Sequence, residues 1–269
     1  MNLGLGLVIV AGASALAVLL LALVRRRVDG PLLLEPTRGT PMMTIVGTAF
    51  AVLLAFVTLA AFQTYNGAKR GAQSEAVAVL EMARTAALFP SAQRDELRAE
   101  LVCYGRAVVR QEWPAMRRGR RSLVVDGWIA RYRDLFNRFD LRSERNRLGF
   151  EELLTEARNR TDGRRERLSQ VTPSVPPPLW IALILGGAVA VLLLLGMADR
   201  RERLWVHGAL VAGVAAIVTA GLLLVNFLDH PYKEHTGSIE PTEMRQSLGM
   251  ASAQISGVRS PCREDGRSL

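Results

Sequence analysis

Four uncharged apolar runs limit what this chain can fold into. They cover Leu3–Val24, Met42–Phe62, Leu179–Ala198 and Leu204–Leu228, and each contains 20 to 25 residues. About 20 helical residues are needed to cross the hydrocarbon core of a bilayer. A helix satisfies its backbone hydrogen bonds internally, as a lipid-exposed segment must, so each run predicts one membrane-spanning helix. The predicted fold class is therefore all-α, with four transmembrane helices.

The first run has the length of a secretory signal region, but the charges around it are reversed. No Lys or Arg precedes it, whereas Arg25, Arg26 and Arg27 follow it directly. A signal peptide carries its positive charge before the apolar stretch and ends in a small-residue cleavage site. We therefore expect this run to be retained as the first membrane span.

The second run is predicted to continue as a helix beyond the lipid. After Phe62 no helix breaker occurs before Pro90, apart from the tolerable Gly67 and Gly71. Apolar residues in this extension recur at the three- and four-residue spacing of one helix face. They are Ala76, Val79, Leu80, Ala83 and Ala87. The pattern predicts a single helix that is roughly 70 Å long.

These patterns divide the chain into four parts. Residues 1–62 hold the first two spans, and residues 63–178 form a soluble helical domain that continues the second span. Residues 179–228 hold the third and fourth spans. The polar tail, 229–269, is expected to be disordered after about residue 249.

Local signals add expectations about single elements. The connector Leu33–Pro41 is expected to be non-helical because Pro36 and Pro41 lie in it and Pro31 shortly precedes it. Ser91 is placed to cap the first helix of the soluble domain, and Pro114 is expected to break or kink that helix. Ser143 is placed to cap a later helix, which Gly163 is expected to weaken.

Charge gives weaker guidance about partners. The net charge is +9, and the connector 63–178 contains 22 basic and 15 acidic residues. A basic surface suits small anions and anionic lipid head groups, although a genome that favours arginine codons is the preferred explanation of the composition. Nucleic-acid binding is not expected, because the arginines are interleaved with acids and no known binding module is present.

Two acids stand out in this domain. Glu75 lies among Ala and Val residues, and Glu112 directly precedes Trp113 and Pro114. A lone acid inside a helical core normally pairs with arginine. We expect each to form a salt bridge with an arginine of another helix; ion binding or gating is the alternative. The candidate partners are Arg106, Arg110, Arg164, Arg165 and Arg167.

The sequence contains no catalytic constellation and no cofactor motif, so neither an enzyme nor a cofactor is expected. Asp229, His230 and His235 match no established zinc spacing, so no metal site is expected either. The two cysteines, Cys103 and Cys262, are too few for a disulfide framework and say nothing about the redox compartment.

One set of residues carries a resemblance to a known family, and its members are the candidates for a family motif or structural network. They are Glu75, Glu112, Trp113, Pro114, Arg165, Arg167, Asp229, Pro231 and Gly237. In these residues the chain resembles a bacterial family of membrane proteins called bestrophin-like, over about residues 5 to 245. The resemblance implies kinship with bestrophins, which are oligomeric anion channels, and a homo-oligomer in membrane lipid with small anions as partners. No bestrophin pore motif maps residue by residue.

Two functional hypotheses follow. The first is an ion-conducting or ion-sensing homo-oligomer with the second span nearest the axis, where small residues form a stripe that suits helix packing or a pore lining. The second is a non-conducting scaffold or signalling protein that docks a partner on an exposed aromatic face of the helical domain. The stripe comprises Gly47, Thr48, Ala49, Ala51 and Ala55, and the aromatic face Trp128, Tyr132, Phe136 and Phe139.

The expected location is the bacterial inner membrane, with the helical domain on the non-cytoplasmic side. Basic residues favour the cytoplasm when they lie in short loops next to spans. Two such clusters abut spans here, in the loops 25–41 and 199–203, whereas the arginines of the helical domain start further away. The family resemblance implies the opposite orientation, with the large domain in the cytoplasm.

Overall fold

The computed structural model describes residues 2–27, 36–197, 203–254 and 260–269. Within these ranges the chain is helical, and the one β-bridge joins Cys262 to Ser268. In chain order the helices are α1 (Leu3–Arg27), α2 (Pro36–Thr85), α3 (Ser91–Ala107), α4 (Trp113–Arg117), α5 (Leu123–Phe136), α6 (Glu144–Ser169), α7 (Pro177–Gly196), α8 (Leu204–Leu228) and α9 (Thr242–Ala253). The predicted all-α class is confirmed.

Four of these helices are long and apolar enough to cross a membrane. They are α1, α2, α7 and α8, which contain the four apolar runs of the sequence. The long helix α2 is continuous over 50 residues, as its pattern predicts. Most of the predicted loop 199–203 lies outside the described residues.

The chain divides into two compact units, with α2 contributing to both. The first contains Met1–Thr64, Pro173–His230 and His235–Gly237, and the second contains the remaining residues. The predicted domain limits at residues 62 and 178 stay a prediction, because compactness does not test whether a unit is a soluble domain.

The first unit is held together by close packing of its apolar helices. Phe50 of α2 lies where a Cβ on Gly186 of α7 would come within 3.1 Å, and Leu54 lies similarly close to Gly221 of α8. The Ser14 hydroxyl of α1 donates to the Ala212 carbonyl of α8. Small residues let transmembrane helices approach in this way because side chains there would separate the backbones.

The helix α2 begins within the predicted connector Leu33–Pro41, of which residues 33–35 lie outside the described residues. The helix begins at Pro36, so the expectation that Leu33–Pro41 is non-helical is wrong from Pro36 onwards. Pro36 occupies the first helical position, where its missing N–H is not needed. Pro41 is the sixth residue of the helix. It lies beyond the first four residues, whose N–H groups have no partner within the helix, so its missing N–H costs the helix about one hydrogen bond.

The second unit surrounds a buried apolar core. Ala76, Val79 and Ala83 of α2 contribute to it, together with residues from α3, α5 and α6. The predicted cap at Ser143 is confirmed, because its hydroxyl accepts the backbone N–H of Asn146 at the start of α6. The predicted cap at Ser91 is wrong: α3 already includes Ser91, and its preceding residue is Pro90.

Gly163 lies within α6, which is continuous, and it allows close contact with α2; that it weakens the helix stays a prediction. A Cβ on Gly163 would lie 2.6 Å from the backbone nitrogen of Glu75, and one on Gly71 would lie 2.5 Å from that of Arg167. Real Cβ atoms do not approach backbone atoms so closely. The two helices therefore touch backbone to backbone at this crossing, and glycine is required on both sides.

The tail is ordered beyond the predicted limit. The helix α9 extends to Ala253, and residues 260–269, which belong to the second unit, are joined to α3 by a disulfide between Cys262 and Cys103. The Trp128 indole donates to the Gly266 carbonyl across 2.6 Å. The expectation of disorder after about residue 249 is therefore wrong for the described part of the tail, because side chains 100 or more residues away bind it.

We expect Gly71→Ala to lower the free energy of unfolding by about 1–3 kcal/mol, because the new methyl group would force α2 and α6 apart. The measurement is thermal or denaturant unfolding of the detergent-solubilised protein. The matched control is Gly127→Ala on α5, where no atom lies within 4 Å of the added Cβ. Greater helix propensity should make that variant more stable, by up to about 1 kcal/mol. Similar melting of the two variants would contradict the close crossing.

Candidate functional site

A buried ion pair joins α2 to α6. Glu75 and Arg167 are both 0% exposed, and Arg167 Nε donates to Glu75 Oε2 across 2.5 Å. A second bond runs 3.0 Å from Arg167 Nη2 to Glu75 Oε1, which also accepts the hydroxyl of Tyr104. The guanidinium thus holds both carboxylate oxygens, the geometry of the strong Arg–carboxylate pairs. The predicted salt bridge of Glu75 with another helix is confirmed.

Glu112 extends this pair into a chain of alternating charges. Its Oε2 lies 2.6 Å from Arg167 Nη2, and its Oε1 lies 2.5 Å from Arg164 Nη2. Arg164 Nη2 also lies 2.8 Å from Asp126 Oδ1 on α5. The predicted salt bridge of Glu112 is therefore confirmed, with two arginines of α6 rather than one.

A π-helical turn positions Glu112. The turn covers Val108–Glu112, between α3 and α4, and Glu112 is its fully buried last residue. Pro114, two residues later, has no N–H to donate, and its ring crowds the carbonyl four residues earlier. A π turn widens the helix by one residue, which accommodates this crowding. Pro114 was expected either to break or to kink the helix. The helix continues past Pro114 to Arg117, so the break does not occur.

Aromatic side chains enclose the arginine. The ring of Trp113 faces the guanidinium of Arg167 at 5.0 Å, and its indole N–H donates to the Ile239 carbonyl across 3.0 Å. The Tyr232 hydroxyl donates to the Arg167 carbonyl across 2.9 Å. These rings exclude water and add a cation–π attraction to the paired charge.

The neighbouring charges keep Glu112 and Arg167 ionised and the Tyr104 hydroxyl protonated. Burial alone would raise the pKa of Glu112, but Arg167 and Arg164 hold it below its ordinary value. Burial would lower the pKa of Arg167, but Glu75 and Glu112 hold it above its ordinary value. Burial and the Glu75 charge raise the pKa of Tyr104 well above its ordinary value, so its hydroxyl remains a donor. Glu112 and Arg167 are therefore both charged around neutral pH.

A second cluster of motif residues follows α8. The Asp229 carboxylate accepts the backbone N–H groups of Ser174 and Val175, across 2.7 and 3.0 Å, through a single oxygen. Gly237 has a φ of +89°, a conformation that side chains rarely adopt. Among these residues Asp229 acts as an anchor for the segment before α7.

The remaining motif residues, Pro231 and Arg165, have separate surroundings. The Pro231 carbonyl accepts the backbone N–H of Ile239 across 2.9 Å, which closes a turn. Arg165 is exposed, and it takes no part in the chain of charges formed by its neighbours Arg164 and Arg167. Because positions 164 and 167 face one side of α6, position 165 necessarily faces another.

The aromatic face expected to dock a partner packs inside the chain. Trp128 and Tyr132 are each only 2% exposed, and Phe139 is 8% exposed. Phe136 is partly buried, and its ring contacts Phe139 and Phe150. The hypothesis that a partner docks on this aromatic face therefore loses its basis, because the face is not exposed. Among the described residues no His, Cys, Asp or Glu cluster could hold a metal ion.

Sequence reasoning missed several partners of the network. Tyr104 and Tyr232 look like ordinary core residues, and nothing in the sequence marks their hydroxyls. A usable signal existed on α6, where Arg160, Arg164 and Arg167 recur at spacings of four and three and so share one helix face.

The chain matches one family model and several solved structures. A family model described as the Bestrophin-like domain matches residues 9–240. A single-residue variant of a bacterial bestrophin homolog from Klebsiella pneumoniae has a similar structure, with a TM-score of 0.72 over 90% of this chain and 99% of that one, at 10% identity. Another structure of that homolog has a TM-score of 0.69 over 92% and 98%, at 12% identity. No curated protein sequence matches the chain.

We expect Glu75→Ala to lower the free energy of unfolding by about 3 kcal/mol, because it leaves the buried Arg167 without half of its counter-charge. The matched control is Glu81→Ala on the same helix, which removes an exposed pair with Arg84. Such surface pairs contribute about 0–1 kcal/mol. The measurement is denaturant unfolding, and an unchanged midpoint in Glu75→Ala would show that the network does not stabilise the fold.

Acid should weaken the same network through Glu112. Its pKa in the folded protein is lower than the ordinary 4.5, so its contribution to stability is complete above that pH. The contribution is lost as pH falls through the lowered value. We expect the melting temperature to fall below about pH 4.5, and to fall less steeply in Glu112→Gln, which has no carboxyl to protonate. Parallel pH profiles of the two proteins would contradict this.

Proposed function

Because the chain belongs to the Bestrophin-like family, we propose that this membrane protein is an ion-conducting homo-oligomer in which α2 lies nearest the axis. The family and the four apolar helices support the membrane location, and the fold is that of the bacterial bestrophin homologs. The transported species is proposed to be a small anion such as chloride. Among the described residues, no group of side chains is put forward as an enzymatic site.

The proposal rests on a difference in burial between two faces of α2. Phe50 and Val57 face the chain's own helices and are buried, whereas Val52, Phe56 and Leu59 on the opposite side are about half exposed or more. The apolar run from Met42 to Phe62 contains no charge, so this open face requires lipid, another copy of the chain or a pore.

Several features of the open face favour a pore over lipid. It includes the small residues Thr48, Ala49 and Ala55 beside larger apolar side chains. Small and hydroxyl side chains can line a path for ions, and apolar ones can form a constriction that gates by dewetting. Conduction of this kind needs no charged group within the span, in contrast to a proton-coupled transporter.

We expect purified protein in liposomes to release chloride or another small ion, and Val52→Ala to increase the flux because it widens an apolar constriction. The matched control is Leu185→Ala on α7, whose side chain is 59% exposed and outside the proposed path. Flux should be measured with ion-sensitive dyes. No flux from well-folded oligomer, across several ions and pH values, would contradict the proposal.

We further propose that the second unit lies on the non-cytoplasmic side of the bacterial inner membrane. The disulfide between Cys103 and Cys262 supports this, because disulfides persist in oxidising compartments and are rare in the cytoplasm. Both cysteines are buried, and their Cα atoms are 5.8 Å apart, the usual separation for a bridged pair. The basic residues beside the spans, such as Arg25 and Arg26 at the end of α1, agree with this orientation.

We expect maleimide reagents to label the denatured protein from cells only after reduction, because both thiols are bonded to each other. Cys262→Ser should expose one thiol without reduction and serves as the control. An alkaline-phosphatase fusion after Gln170 should be active, and one after Arg201 inactive. Complete labelling without reductant, or the opposite pattern of fusion activity, would place the second unit in the cytoplasm.

A further inference from the structure

A basic cavity lies in the second unit, between α5, α6 and the turn that follows α4. Its volume is about 640 Å³, and it opens to solvent. Six of the fourteen residues that line it are arginines, and Asp126 is the one carboxylate among them. The arginines that line it are Arg120, Arg121, Arg133, Arg160, Arg164 and Arg165.

Arg160 is the unusual member of this group. It is only 3% exposed, and its Nε has no hydrogen-bond partner among the described residues. Its guanidinium lies 5.4 Å from the ring of Tyr104 and 5.2 Å from that of Tyr132, and Nη2 donates to the Thr161 hydroxyl. An arginine does not lose its proton in a protein, so a full positive charge is buried here with no carboxylate within salt-bridge distance among the described residues.

The other charges do not balance it. Arg164 is already paired with Glu112 and Asp126, and Arg121 lies 3.9 Å from Asp126. Arg133 and Arg165 have no carboxylate within salt-bridge distance in the part of the chain that the structure describes. A buried charge is costly unless a counter-charge reaches it, and an anion in the cavity would supply one.

We propose that this cavity binds an oxyanion of the phosphate class. Guanidinium groups present a planar fork of N–H donors that matches the oxygens of phosphate. Several arginines converge on one cavity here, with a buried one at its wall, whereas arginines on an ordinary solvated surface each project into water. The binding of a soluble anion at this cavity does not depend on conduction by α2, so the two proposals can fail separately.

The phosphate group can belong to a soluble ion or to a lipid head group, and the test separates the two. Wild-type oligomer in nanodiscs of uncharged lipid is titrated with inorganic phosphate by calorimetry, at constant ionic strength set with chloride. We expect saturable binding of phosphate that chloride does not reproduce. A second arm uses nanodiscs with phosphatidylglycerol and no phosphate, and reads the melting temperature. A rise that requires Arg133 and Arg165 would identify a lipid head group as the source.

The variant Arg133→Gln/Arg165→Gln removes two exposed guanidiniums, so the fold should be retained. We expect each removed guanidinium to weaken phosphate binding by about tenfold or more, because a charge-assisted hydrogen bond to the anion can no longer form. The matched control is Arg118→Gln. Arg118 is an exposed arginine in the turn that follows α4, and it does not line the cavity. Equal weakening in the control, or heats that follow ionic strength alone in both nanodiscs, would overturn the proposal.

Discussion

The second unit depends on one permanent positive charge, that of Arg167, in a dry environment. Arg167 cannot become neutral and has no access to water, so its burial is tolerated only because carboxylates meet it. Glu75 supplies the first, from a different helix, and Glu112 supplies the second through a π turn. The glycine crossing of α2 and α6 brings the backbones close enough for the short Glu75 side chain to reach.

Local patterns predicted most of the fold. The apolar runs predicted the spans, because hydrophobic length is a property of one segment. The salt bridges that Glu75 and Glu112 form with arginines were also predictable, because a buried acid requires a cation wherever it lies. The disulfide was not, because its partners are 159 residues apart and nothing near either cysteine marks the other. The ordered tail was missed for the same reason.

The helix α6 divides its arginines between two roles according to their partners. Arg164 and Arg167 meet carboxylates and hold other helices in place, so their charge is neutralised within the fold. Arg160 lies on the same face one turn earlier, beside two tyrosine rings that provide no negative charge. The difference comes from the neighbours and not from the arginine, so the sequence of α6 alone does not separate a structural cation from one available to a ligand.

The disulfide also changes the connectivity of the molecule. Together with the chain between them, Cys103 and Cys262 close a covalent ring that includes α5, α6, α7 and α8, and thus two of the four apolar helices. A protease that cuts any exposed loop within this ring, such as the turn after α4, opens the ring but releases no fragment. The nicked protein would remain a single molecule on a non-reducing gel and separate into two pieces only when the bridge is reduced.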